Sequence, residues 1–388
     1  MSKKLWLSGD PVPMFVARST NNPRFNFDTS AGRYVVICFF GSALVEMHRK
    51  AIEHITAKPN FFNDETGCFF GVSIDTNDES LERVRQIVPG IRYFWDFDGN
   101  ISKLYGAIEE DGEMKPNGQL TYYPFTLILD PMLRVLGYIP LNDLDRHNQA
   151  FDYIFSNLPD IQQHAGVPLD SPVLVLPRVF EPVFCRELID IYEKNGGEES
   201  GFMREIDGKT VGVLDNSFKR RTDFDLDRDR AYDSVCKAIR ARISRRLIPE
   251  MQKAFQFRAT RIERYLVACY DSESGGFFRA HRDNTTKGTA HRCFACTINL
   301  NAEEYEGGNL RFPEFGSRTY RAPTGGAVVF SCSLLHEATP VTQGKRYAFL
   351  PFFYDENAAR IRQQNLNFLT GQVIDKNKGE EEKIIISQ

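Results

Sequence analysis

Residues 34–41, YVVICFFG, form an unbroken apolar, β-branched and aromatic run closed by glycine. Such a run predicts a strand buried on both faces of a parallel or mixed sheet. The following segment, SALVEMHRKAIEHITAK, has helical spacing, with Leu44, Met47, Ile52 and Ile55 sharing one broad face. GCFFGVSID (67–75) predicts a second strand and DESLERVRQIV (78–88) a second helix, with Asp78 as its N-cap. IRYFWDFD and FTLILDPMLRVLGYI add further strands, so the order of elements predicts an α/β layered domain.

The pattern then changes. FSNLPDIQQHAGVPLDSP (155–172) is polar and carries three prolines, which marks a linker, placed at 161–172. After VLVLPRVF comes EPVFCRELIDIYEK, a helix opened by a Glu-Pro pair, and residues 225–256 are again helical in pattern. Beyond Phe257, RIERYLVACY, CFACTINLN, NLRFPEF, GGAVVFSCS and KRYAFLPFFYD read as short strands between turn residues. That spacing predicts an antiparallel barrel or jelly roll over 173–360, followed by a polar tail, 361–388, in which DKNKGEEEK is expected to be mobile. Residues 1–160 form the first domain.

Composition narrows the class. The 388 residues exceed one ordinary core, since a domain takes about 100–200. A net charge of −4 gives no global reason to expect nucleic acid or membrane as a partner. No apolar run nears the roughly 18 residues of a bilayer span, and MSKKLWLSGDPVP has no apolar signal core. The eight cysteines are irregularly spaced, which predicts reduced, buried thiols and a cytoplasmic location. Cys293 and Cys296, three apart on a strand, should face opposite sides and form neither a disulfide nor a metal site. Residues 219–246 hold ten Lys or Arg interleaved with five Asp, the mark of a solvated helical face.

The chemistry lies in FFRAHRDNTTKG (277–288) and SCSLLHEATPVTQGKRYAF (331–349). His281 and Asp283, two apart on a strand, can face one side, with Arg282 turned away. His336 follows a strand that would run back beside them. Two imidazoles and one carboxylate can hold iron(II) on one face and leave other positions open, with zinc the competing metal. His291 reads as a surface or loop residue. Arg346 opens an apolar strand ten residues after His336. Iron(II), one aspartate and a bound dicarboxylate carry a net negative charge, which one arginine can neutralise while gripping the far carboxylate. Lys345 is the alternative, and only one of the two neighbours should enter the pocket.

YLVACYDSESGGFFRAHRDN, EGGNLRF, GGAVVFSCSLLHEATPV and GKRYAFLPFFYD resemble the prolyl-4-hydroxylase-like branch of the iron(II)/2-oxoglutarate dioxygenases, over residues 170–360. The resemblance implies a double-stranded β-helix, iron held by His281, Asp283 and His336, and 2-oxoglutarate held by Arg346. It implies O2 as co-reactant, ascorbate as a candidate reductant, and a peptide, protein or amino-acid substrate. Tyr270 matches a cosubstrate-contacting tyrosine, and Asn299 stands where some prolyl hydroxylases have a second one. The carboxylate of Asp283 favours hydroxylation over halogenation. The loop 271–276 and the segment 204–221 should border the pocket.

GDPVPMFVARS and FNFDTSAGRYVVICFFGSALVEMHRKA resemble the opening of peroxiredoxin and redoxin domains, over residues 8–140, and imply a thioredoxin-like fold. YYPFTLILD fits their cis-proline loop, with Pro124 at its turn. Peroxidase chemistry needs a thiolate in the first turn of the helix, where the helix end lowers its pKa. GSALVEMHRKA has no cysteine there. His48 sits near the vacant position and reads as a helix-surface residue. The expectation is a hydroxylase with a degenerate redoxin domain for docking or homodimerisation. A non-catalytic scaffold, a bifunctional redox protein using Cys38 or Cys68, and a zinc hydrolase are the alternatives.

Overall fold

The run 34–41 becomes the strand Tyr34–Gly41 in the computed structural model, which describes residues 5–109, 121–378 and 383–385. The chain divides into two units, Met1–Asp170 with Pro313–Ser317, and Ser171–Phe312 with Arg318–Gln388. In the first unit every residue of Tyr34–Gly41 and Gly67–Ser73 is buried, as continuous apolar runs require. These two strands pair in parallel, and Gly67–Ser73 pairs in parallel with Ile91–Trp95. Phe125–Leu129 and Val135–Pro140 close the other side antiparallel, and Val16–Ser19 and Asn22–Asn26 complete a seven-stranded sheet. This is the thioredoxin-like layer.

Helices Glu46–Thr56 and Leu144–Ser156 cover one face, with Ala51, Ile52, Ile55 and Phe151 packed against Val36, Cys38 and Phe40. Leu44 departs from the sequence reading. The helix begins only at Glu46, and Leu44 is exposed before it. The Ala43 amide donates to Asp78 and the Leu44 amide to the Ser42 hydroxyl, which holds this segment as a turn. The helix expected over 78–88 is the five-residue Thr76–Ser80, capped by Asp75 rather than Asp78. Asp78 is wholly buried, its carboxylate taken up by Ser73 and Ala43, and Glu82 adopts φ +50°, which ends the helix. The Tyr123–Pro124 bond is trans; the cis peptide among the described residues is Val88–Pro89.

The second unit is a jelly roll. Alternation along its strands sorts residues between two environments. Val267, Cys269, Cys296, Ile298, Tyr347 and Phe349 point outward into a core shared with helices Pro182–Asn195, Asp233–Arg246 and Ile248–Phe255. Leu266, Ala268 and Tyr270 point inward, where they meet Phe278 and Ala338 of the facing sheet. The larger sheet has nine strands and includes Leu266–Asp271, Phe294–Asn299 and Lys345–Phe349. The facing sheet runs Lys219–Arg220, Phe277–His281, His336–Ala338, Leu310–Arg311, Thr319–Tyr320.

Residues 361–388 are not simply a tail. Helix Glu356–Asn365 extends into them, and the strand Leu369–Asp375 pairs in parallel with Lys209–Leu214. LTGQVID has enough β-branched residues to join the hairpin Phe202–Ile206/Lys209–Leu214, so pairing overrides its polar composition.

All eight cysteines are free, and Cys38 and Cys68 are buried with thiols pushed up to about 12 by burial. We expect neither to react with a thiol reagent in the native protein and both to react after denaturation. Labelling of native protein at Cys38 at the rate of a free thiol would contradict this.

Candidate metal and cosubstrate site

The site begins with a strand pairing. Phe277–His281 runs antiparallel to His336–Ala338, and His281 lies directly opposite His336. Strict alternation from the inward-facing Phe278 would send His281 outward. The register shifts between Phe278 and His281, and this irregularity brings both rings to one side, stacked with centroids 3.6 Å apart. The strand ends at His281, so Asp283 lies in the following turn rather than on the strand. Its amide donates to the Cys332 carbonyl at 3.0 Å, which ties that turn to the strand leading to His336.

The three side chains converge. The Nε2 of His281 is 3.5 Å from Asp283 Oδ1, and the Nε2 of His336 is 3.3 Å from Asp283 Oδ2. One ligand atom from each lies within 4.8 Å of the others. The second ring nitrogen of each histidine faces backbone: Nδ1 of His281 is 2.8 Å from the Arg279 carbonyl, and Nδ1 of His336 is 3.0 Å from the Leu334 carbonyl. With Nδ1 donating to those carbonyls, each Nε2 lone pair is left for a metal. Burial, and then the neighbouring His281, push His336 down to about 4, so it is neutral at physiological pH. Burial works against the Asp283 charge, but His336 and His281 outweigh it and hold the carboxyl well below its usual range.

Arg346 enters the interior. It is 2% exposed, opposite Tyr270 in the strand pair, with its guanidinium 4.9 Å over the Tyr270 ring. One Nη donates to the Thr297 hydroxyl at 3.3 Å, while Nε and the other Nη are buried without a partner. Two orphaned donors on a buried cation fit a carboxylate, which can accept from both. Lys345 faces the other way, toward Asp271 at 3.4 Å, and is half-exposed. The Tyr270 hydroxyl accepts from Arg221 at 3.3 Å, so this ring braces Arg346 from one side and meets Arg221 on the other. Asn299 is buried, donating to the Ala322 carbonyl at 2.6 Å and leaving Oδ1 unpartnered. The eight residues His281, Asp283, His336, Arg346, Tyr270, Asn299, Thr297 and Phe278 thus belong to one unit.

The protein-family comparisons bear on these two units in turn. Residues 265–354 match the model of the 2OG-Fe(II) oxygenase superfamily, and residues 8–136 match that of the AhpC/TSA family. The chain joins a redoxin-like domain to a 2OG-Fe(II) oxygenase domain. Curated relatives include a PKHD-type hydroxylase of Pseudomonas fluorescens, 35% identical over 103 residues, covering 24% of this chain and 44% of the relative. Another, from Shewanella baltica, is 29% identical over 189 residues, covering 45% of this chain and 81% of the relative. The match to two Synechococcus PKHD-type hydroxylases spans 41% of their length. Among solved structures, a prolyl hydroxylase from Trichoplax adhaerens, in complex with a hypoxia inducible factor peptide fragment, aligns at TM-score 0.37 and 17% identity. It covers 56% of this chain and 94% of that one. A peroxidoxin from Mycobacterium tuberculosis aligns at TM-score 0.33 and 16% identity, covering 39% of this chain and 99% of that one. The superfamily's description implies Fe(II), 2-oxoglutarate and O2 as the reacting set.

Three sequence readings change here. His291 is buried rather than on the surface, with Nε2 2.7 Å from Glu263, which Arg292 also binds. The basic run at 219–246 is not wholly a solvated face. Arg242 and Arg246 do sit outside, on Glu181, but Lys219 and Arg221 are buried. The signal was present: Lys219, Arg221, Asp223 and Asp225 recur at every second position, which is strand spacing. Thr297 was also missed, although it shares a strand face with Asn299. In the first unit, His48 Nδ1 lies 3.2 Å from the Ser42 carbonyl, partly buried rather than on the helix surface.

The folded pKa of His336 lies below its ordinary 6.5, so its contribution to stability is present above that value and lost as pH falls toward about 4. Asp283, also depressed, adds in the same direction at lower pH. Thermal unfolding of the metal-free protein should therefore show a falling midpoint between about pH 6.5 and 4, with a shallower fall in His336→Asn. Equal slopes in the two proteins would contradict the assignment.

Proposed function

We propose that the second unit is an iron(II)- and 2-oxoglutarate-dependent hydroxylase acting on a peptidyl or amino-acid substrate. His281, Asp283 and His336 would hold the metal, and Arg346 the far carboxylate of 2-oxoglutarate. The observation that carries this reading is Arg346: a fully buried cation with two donors unpartnered, in the same interior as the triad. A structural arginine would be matched by a carboxylate or carbonyls, and among the described residues Arg346 has only one hydroxyl.

When bound, iron(II), 2-oxoglutarate and O2 supply an oxidation that yields succinate, carbon dioxide and oxidised substrate. The chain's residues set the conditions for it. The backbone carbonyls of Arg279 and Leu334 orient the two imidazoles, turning each Nε2 toward the metal position. Asp283 contributes the anionic ligand. Phe278, Phe312 and Phe330 pack about the histidines and exclude water from that side. Thr297 and Tyr270 hold the Arg346 fork. Among the described residues, no helix is long and apolar enough to cross a membrane, and the free, mostly buried thiols suit a reducing, cytoplasmic setting. The first unit, without a cysteine at its helix start, would serve docking or homodimerisation.

The test is spectroscopic and made without O2. Iron(II) followed by 2-oxoglutarate should produce a weak visible charge-transfer band in the full-length protein. The band should be absent in His336→Ala and Asp283→Ala. No band in folded, reduced wild type would overturn the reading.

Arg346→Ala should weaken 2-oxoglutarate binding by about 30-fold or more, since truncating one partner of a buried charge pair costs roughly 2–5 kcal/mol. Lys345→Ala should leave it unchanged, as titration of the same band would measure. The reverse result would reassign the cosubstrate anchor.

A further inference from the structure

Four cations gather beside the triad in the second unit, and two of them lack a carboxylate. Arg221 pairs with Asp223 at 2.6 Å, and Arg292 pairs with Glu263 at 2.6 Å. Lys219 is 3% exposed and donates only to the Ser200 hydroxyl and the Gly201 carbonyl, both at 2.6 Å. Arg264 makes no hydrogen bond and no ion pair among the described residues; its guanidinium lies 5.7 Å over the Phe352 ring. Arg264 is only partly buried, so its unpaired guanidinium is open to an incoming anion, and Lys219 keeps one donor beyond its two hydrogen bonds.

The position is next to the chemistry. Lys219 pairs with Phe278 across the strand edge, its ammonium 4.8 Å over that ring, and the other side of the ring environment is the stacked His281. Burial, and then the neighbouring Arg221, push the Lys219 ammonium well below its usual range, against the pull of Asp223 and Asp283. Arg264 and Arg292 both lie over the Phe352 ring, at 5.7 and 4.1 Å, and Arg292 donates to the Asp283 carbonyl at 3.5 Å, which places Arg264 beside the triad. The nearby carboxylates are already committed: Asp223 and Glu263 to Arg221 and Arg292, Asp225 to Arg228, and Asp283 to the triad.

The backbone adds a second, independent sign. Arg264 has φ +70°, a left-handed conformation that a residue with a side chain adopts at a cost of order 1–3 kcal/mol. Glycine or asparagine would relieve it. An arginine held there, partly buried and without an ion pair among the described residues, fits strain kept for binding.

We infer that Arg264, assisted by Lys219, receives a carboxylate of the substrate, and so orients an anionic amino-acid or peptide substrate toward the metal site. This rests on the proposed function and adds the substrate's charge. The carboxylate could be a chain terminus or an acidic side chain, and both present the same pair of acceptor oxygens.

The experiment uses the full-length protein loaded with iron(II) and saturating 2-oxoglutarate, without O2, so that the cosubstrate's own carboxylates are already placed. Three probes are titrated by calorimetry: N-acetyl-L-proline, N-acetyl-L-prolinamide, and the amide of N-acetyl-glutamyl-proline. At least one acid should bind about 10- to 100-fold more tightly than the neutral amide, the range of a charge-assisted hydrogen bond. Preference for the first locates the carboxylate at the terminus, and preference for the third locates it on a side chain. Arg264→Gln should lose the preference while keeping the charge-transfer band, and Arg264→Lys should keep part of it. Equal affinity for acid and amide in wild type, no binding of any probe, or a preference unchanged in Arg264→Gln would overturn the inference with the cofactor reading intact. Failure of the band itself would overturn both.

Discussion

Everything at the candidate site depends on the register between Phe277–His281 and His336–Ala338. The two histidines are cross-strand partners, and the shift between Phe278 and His281 turns His281 to the same side as Phe278. A one-residue slip would carry one imidazole to the opposite face, because side chains alternate. Backbone carbonyls then fix both rings, and the Asp283 turn is tied to Cys332 on the chain that leads to His336. A metal bound there would close a loop of more than fifty residues and reinforce the pairing that created its site.

The jelly roll makes this possible by dividing its strands between two interiors. Outward residues such as Val267, Cys269, Tyr347 and Phe349 pack on three helices and supply an apolar core. The inward positions are thereby released from the task of stabilising the fold, and they carry Tyr270, Thr297, Asn299 and Arg346. Stability and chemistry occupy opposite faces of the same strands. The inward face tolerates orphaned donors and unpaired cations that would be destabilising in the outer core.

In the first unit the helix after the first central strand starts without a cysteine. The buried strands Tyr34–Gly41 and Gly67–Ser73 build a complete redoxin-like sheet, and Asp78 is spent inside it on Ser73 and Ala43. The helix start has no thiol, and the two nearest cysteines are locked in strands where burial keeps them protonated.

The sequence by itself determined the local periods and the residue types. Continuous apolar runs marked the central strands, alternation gave the jelly roll, and the pattern of His281, Asp283, His336 and Arg346 pointed to the chemistry proposed for them. It also settled that Arg346 and Lys345 could not both enter the pocket. Only the tertiary structure decided which of them did, that His281 turns inward through a register shift, and that the Thr76–Ser80 helix stops early. It alone placed His291, Lys219 and Arg221 inside, and paired Leu369–Asp375 with a distant hairpin. The reason is physical: period and propensity are properties of neighbouring residues. Register shifts, buried charges and long-range pairings are set by partners tens or hundreds of residues away, whose free energy outweighs local preference.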